Sequence, residues 1–253
     1  MSWASRRRSL ILLLIGSVAA AILAVVAISI FYETPSCSDG KENQDETGVD
    51  CGGSCERICI ADVTPPKVVF VRALQDSEGN ADIVAYLENT NPSAYITNAR
   101  FSIELYSPER VLLETISGTA FIPPASVMPL YIPRAFSGPV TIAQSFVLFE
   151  GEAEYTKNNT RYVSMPIRDT RFIEGASPRI TAVIQNPTVD IYREIPMIAT
   201  ALNAAGIVIA DSSTLVPQLY PGTEESLVFT WNAPFAEVPS RIEVRATTFI
   251  EAP

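Results

Sequence analysis

Hydrophobic and polar positions divide the chain into three regimes. From Leu10 to Phe31 the residues are uncharged and predominantly apolar. At about 1.5 Å per residue, a helix of that length spans roughly the 30 Å hydrocarbon core of a bilayer. Between Glu33 and Asp62 apolar residues become scarce. Beyond that, short apolar runs alternate with polar residues: Phe101, Ile103 and Leu105 point one way, Ser102 and Glu104 the other. Leu227, Phe229 and Trp231 repeat the alternation, as do Ile242, Val244 and Ala246. This period of two marks half-buried strands. Turn residues separate the runs at Asp76–Asn80, Asn158-Asn159, Pro221-Gly222 and Asn232–Pro234, and no amphipathic helix pattern follows the first apolar run.

The β region repeats itself with an offset of about 95 residues. One copy begins Ile83-Val-Ala-Tyr-Leu-Glu-Asn-Thr-Asn91-Pro92, the other Ile180-Thr-Ala-Val-Ile-Gln-Asn186-Pro187. Each Asn-Pro leads to a second apolar run, Ala99–Tyr106 or Ile195–Leu202, and then to Val111-Leu-Leu-Glu or Ile207-Val-Ile-Ala. Pro restricts the residue before it, so each Asn-Pro is expected to end a strand and set a turn. Trp231 is expected on a strand face and Glu224-Glu225 in a solvated turn. Several short strands per copy, with frequent Pro and Gly, predict an all-β fold of two tandem β-sandwich domains. No Cys…Trp…Cys spacing occurs, so antibody-type domains are not expected. The pattern resembles small immunoglobulin-like modules of the FxLYD and late-embryogenesis-abundant type 2 kinds. That resemblance implies an extracellular spacer or binding platform rather than a catalyst, and carries over no binding residue. The expected organisation is a cytoplasmic N-terminus at 1–9, a transmembrane signal anchor at 10–32, a cysteine-rich neck at 33–62, and immunoglobulin-like domains at 63–157 and 158–253. Ala61–Pro66 reads as a linker stiffened by two prolines.

Charge sets the orientation. Arg6, Arg7 and Arg8 precede the apolar run, and every Asp and Glu follows it. The positive-inside rule keeps the arginines cytoplasmic and sends the rest across. The predicted location is the plasma membrane, single-pass, with the C-terminal domains periplasmic or extracellular. A cleaved signal peptide is the competing reading. Its apolar core is shorter, about 7–15 residues, and here only a weak Ala27-x-Ser29 site is present; the residues before Cys37 form no lipoprotein cleavage box. Trp3, Phe31 and Tyr32 suit the membrane interfaces. Of 28 acidic and 18 basic side chains, removing the three arginines leaves 15 basic, a net charge of −13 beyond the apolar run. Such an acidic exterior is unsuited to nucleic acid. Asn158-Asn159-Thr160 matches an N-glycosylation acceptor.

Candidate chemistry is sparse. The chain has no histidine, which removes Ser-His-Asp and Cys-His nucleophile pairs and His-ligated zinc. Lys41, Lys67 and Lys157 sit in polar segments or at run edges, and no local pattern supports paired-carboxylate hydrolysis. An enzyme is not expected. All four cysteines, Cys37, Cys51, Cys55 and Cys59, lie in the neck. Outside the cytoplasm two disulfides are the simplest reading, and three pairings are open. A four-thiolate zinc or iron–sulfur site is the alternative, making the neck a metal or redox sensor. Catalytic thiol chemistry is disfavoured because no Cys-x-x-Cys pair occurs. With so few apolar residues the neck needs cross-links or a metal in place of a core. Asp39, Asn43, Asp45, Glu46 and Asp50 stand among Gly40, Gly48, Gly52 and Gly53, offering hard oxygen ligands for calcium on a loop free to turn tightly. The spacing is not that of an EF-hand. The neck resembles a short motif of bacterial and archaeal surface proteins, Cys-x-Asp-Gly…Asp-Cys-Gly-Gly-x-Cys.

The expected function is a membrane-anchored envelope protein presenting two β modules to a partner protein or envelope polymer. The rival is a subunit of a membrane complex, assembled through small residues of the apolar helix such as Gly16, Ala20 and Ala24.

Overall fold

A computed structural model describes residues 3–31, 36–76, 78–158 and 165–246, with the side chains of its helix described over 11–26. Asn159 and Thr160 of the glycosylation acceptor, Tyr32, and the side chains of Trp3, Phe31 and the three arginines lie outside the described part. Residues 1–54 and 55–253 form two compact units.

In the first unit, α1 runs from Trp3 to Phe31. Its apolar sequence offers no inward stripe, and every described side chain along it is exposed. Among the described residues no helix is long and apolar enough to cross a membrane.

The second unit is all-β apart from one 3-10 turn at Ile60–Asp62. Its strands are β1 (Lys67–Gln75), β2 (Asn80–Asn89), β3 (Ala94–Tyr106), β4 (Leu112–Ile122), β5 (Ser126–Ser137), β6 (Gln144–Phe149) and β7 (Tyr155–Lys157), followed by β8 (Ile167–Ile173), β9 (Arg179–Gln185), β10 (Tyr192–Leu202), β11 (Val208–Leu219), β12 (Glu224–Thr230) and β13 (Arg241–Ala246). All described pairings between them are antiparallel. They form sheets in the orders β1-β2-β5, β4-β3-β6 with β7 beside β3, β12-β9-β8 and β11-β10-β13. The second and fourth sheets of this series have matching connectivity, as do the first and third.

The repeat is therefore structural, and its true spacing is 97 residues. Asn89 and Asn186 occupy equivalent places, as do Ile122 and Leu219, and β6 and β13 start at 144 and 241. The offset read from Asn91-Pro92 differs because Asn91 is not the counterpart of Asn186: its amide donates to Asn89 as the Thr188 amide donates to Asn186, so Pro92 and Pro187 hold different places in their turns. Asn89 is fully buried and donates from Nδ2 to the carbonyls of Ala94 at 2.8 Å and Pro123 at 3.0 Å, while its Oδ1 accepts the Asn91 amide. Asn186, equally buried, donates to the Asp190 and Leu219 carbonyls and accepts the Thr188 amide. Each asparagine ties the turn after its strand to the end of a strand 33 residues on, satisfying carbonyls that burial would otherwise leave unpaired. Asn91 does something else: its side chain accepts the Thr64 amide and donates to the Thr64 carbonyl, each at 2.8 Å, fastening the linker.

The alternating residues do enclose cores. Phe101, Ile103 and Leu105 pack with Ile83 of the facing sheet. Ile180, Ile184, Leu227 and Phe229 pack with Met197 and Leu219 in the second copy. Two strands break the alternation. β2 is buried at every position from Ile83 to Leu87, and β10 at every position from Met197 to Leu202. A strand buried on both faces must be covered on both. The outward side chains Val84 and Tyr86 of β2 meet Leu202 and Val208 from the second copy, with Phe70, Leu74 and Val127 around them. The outer face of β1-β2-β5 thus packs on the outer face of β11-β10-β13, joining the two copies side to side.

Candidate functional site

The neck was the sequence's main candidate for chemistry. All four of its cysteines are disulfide-bonded and none is free. Cys55 and Cys59 are buried; in the second unit the segment carrying them runs beside β7, through Ile58 N–H to Tyr155 O at 2.9 Å, Lys157 N–H to Glu56 O at 2.8 Å and an Arg57–Glu154 ion pair at 2.6 Å. Disulfide sulfurs are neither nucleophiles nor thiolate ligands, so in this form the neck holds no four-thiolate centre.

In the first unit, the five oxygen-bearing candidates serve the loop's own backbone and side chains. Asp39 accepts the amides of Ser36 at 3.1 Å and Lys41 at 2.9 Å and the Asn43 side chain at 2.9 Å. These bonds, the Ser36 amide foremost and then Asn43, hold its carboxyl below the usual carboxylate value. Both oxygens of Asp50 accept the Gly40 amide at 3.0 Å. Glu46 accepts the Asn43 amide and Asp45 the Ser54 hydroxyl. Among the described residues no three carboxylates bring their oxygens within 4.8 Å of one another. Asn43 Oδ1 is buried and has no donor.

Gly52 and Gly53 show why the motif needs them. Both have positive φ, and a Cβ on Gly52 would overlap the Thr47 hydroxyl, one on Gly53 the Asp45 carbonyl. Close approach of backbone, rather than flexibility, is what these glycines supply.

A second polar cluster lies where the two β copies meet. Asp211 of β11 is only 3 % exposed. Its Oδ2 accepts the Thr200 hydroxyl at 3.0 Å from β10, while Oδ1 has no partner. Burial pushes its carboxyl up to about 8, against the smaller opposing effects of the Thr200 hydroxyl and the Ser212 amide. Facing it from β2, the Tyr86 hydroxyl is also buried and unpartnered, and burial raises its pKa. Nearby, Asp82 accepts the Tyr131 hydroxyl at 2.6 Å and the Arg134 amide at 2.7 Å; burial, then that bond, raise Tyr131. Trp231 Nε1 donates to the Asp211 carbonyl at 2.9 Å, and its ring stands edge-on to Phe235 at 4.9 Å. Trp231, one residue beyond β12, is thus part of the packing against the core.

Sequence reasoning passed over this cluster. Asp211 sits in a polar Asp-Ser-Ser-Thr run, which carries no sign of burial. The usable signal was the apolar run Ile83–Leu87 and the run Ile195–Leu202, apolar but for Thr200, which mark strands covered on both faces. No protein-family model matches the chain, and no curated protein matches it.

Proposed function

We propose that the chain is a membrane-anchored, non-catalytic envelope protein whose two immunoglobulin-like β-sandwich modules act together as one rigid binding or spacer platform outside the cytoplasm. The observation that carries this reading is the side-to-side packing of the copies through Val84, Tyr86, Leu202 and Val208. Modules joined by a linker alone would swivel; a shared apolar interface holds their outer faces in a fixed relation, which suits presentation. The uncharged run Leu10–Phe31 behind three arginines supports the anchor and its orientation. The resemblance to FxLYD and late-embryogenesis-abundant type 2 modules supports the fold family. An anchored platform samples partners in a plane, so weak contacts act multivalently.

The test is topological. The full chain with a C-terminal epitope, made in a bacterial host, should stay in membranes through alkaline carbonate extraction, and protease added outside the inner membrane should remove the epitope. Release by carbonate, or a protected epitope, would sink the anchor reading. Zymography on envelope polysaccharide should show no cleared zone.

A second reading concerns the neck. Asn43 Oδ1, buried without a donor among Asp39, Asp45, Glu46 and Asp50, would gain a positive partner from a bound calcium. Native mass with and without chelator decides it: a calcium lost on chelation supports the ion, an unchanged mass leaves the loop held by disulfides and hydrogen bonds.

A further inference from the structure

Two carboxyl groups lie at the interface between the β copies, and they are treated differently. Asp82 uses both oxygens as acceptors, from Tyr131 and from the Arg134 amide. Asp211 uses one, toward Thr200, and its buried Oδ1 meets no donor. Nor does a cation neutralise it. Arg245, on β13 beside β10, is committed to Glu243 at 3.0 Å and to the Val127 carbonyl across the interface at 3.3 Å.

The other charged and titratable groups on the packed elements do not supply a positive partner. Asp82 and Tyr86 face it from β2, Tyr131 from β5, and Glu243 from β13, where Glu243 also pairs with Arg241. Arg72 on β1 is exposed, in the row of Val84 and Tyr131. β12 closes the other side of β11, and its Glu224 and Glu225 stand at the end away from Trp231, roughly 20 Å along the strand. Glu224 is paired with Arg168. An ionised Asp211 would be a buried negative charge beside another acid, without compensation. A neutral carboxylic acid, by contrast, carries a proton on one oxygen and can donate it.

We propose that the interface between the two β copies is a proton-dependent latch, closed by the neutral form of Asp211 and loosened when that carboxyl ionises. Opening exposes Asp211 to water, where it ionises at the ordinary carboxylate value. Within the closed interface it holds its proton to higher pH. The opening equilibrium therefore rises with pH through the window between these values, roughly 4 to 8, by about tenfold per pH unit, and levels off above. The inference rests on the packing used in the platform reading but not on the membrane anchor, so failure of one leaves the other standing.

The test uses the full chain in detergent micelles. Hydrogen exchange, corrected for intrinsic amide rates, is followed at Val84–Tyr86 and Ile198–Leu202 from pH 5 to about 9.5, past the upper edge of the window. Infrared difference spectra at pH 6 report a protonated carboxyl. Wild type should show the carboxylic-acid stretch, lost in Asp211→Asn, and opening that rises about tenfold per pH unit; Asp211→Asn should flatten that dependence. Thr200→Val guards against a variant that fails to fold. It removes a bond favouring the ionised carboxyl, so the pH window should extend upward. Absence of the acid stretch at pH 6, a pH slope shared by wild type and Asp211→Asn, or an unmoved window in Thr200→Val would each overturn the latch.

Discussion

At the scale of single residues, buried polar groups are the points where this fold is most exposed to substitution. Asn89 and Asn186 each satisfy carbonyls of two different segments from a fully buried position. Replacing either with Ala leaves those carbonyls unpaired, at a cost of about 2–4 kcal/mol. Denaturant unfolding should show both variants losing stability by similar amounts. Asn91→Ala, which releases only Thr64 and Asn89, should cost less. Asp211 gives a pH dependence whose sign is fixed: its carboxyl is raised in the folded state, so the native protein binds the extra proton. Its contribution to stability is then greatest below about pH 4 and declines toward pH 8, with a slope of up to about 1.4 kcal/mol per pH unit. Chemical denaturation across that range, in wild type and Asp211→Asn, measures it.

At the scale of elements, hydropathy period and hydrogen-bond bookkeeping account for different parts. The alternation at Phe101–Leu105 and Leu227–Phe229 was legible and has its inward side chains in the cores. Asp76, expected in a turn, does cap one, accepting the amides of Glu78 and Asn80 at 2.9 Å. The paired burial of β2 and β10 was not legible, because a largely apolar run fits a strand inside one sandwich as well as one shared by two. Asp211 was hidden for a related reason: a polar residue in a polar run gives no sign of being buried by a sheet from elsewhere in the chain. The repeat was legible and its register was not, since Asn91 imitates Asn89 in sequence while doing another task. In the neck, disulfides and Gly-permitted turns replace a core. Gly53→Ala adds a Cβ against the Asp45 carbonyl, so oxidative folding should yield scrambled or free thiols, counted by thiol titration and peptide mapping. Reducing wild-type protein should lose roughly 2–4 kcal/mol per disulfide while the strand signal in circular dichroism persists at moderate temperature.

At the scale of the whole molecule, the central property is that the two β copies behave as one body. An interface built from Val84, Tyr86, Leu202 and Val208 couples their unfolding, because separating the copies exposes apolar surface on both. Leu202→Glu places a charge in that interface and should split the unfolding into two steps without abolishing either core. The most direct measurement is scanning calorimetry of the full chain in detergent at pH 5. One β-region transition is expected, with calorimetric and van't Hoff enthalpies that agree, resolving into two in Leu202→Glu. Two separate transitions in the wild type would contradict it, showing that the copies fold and move as independent modules.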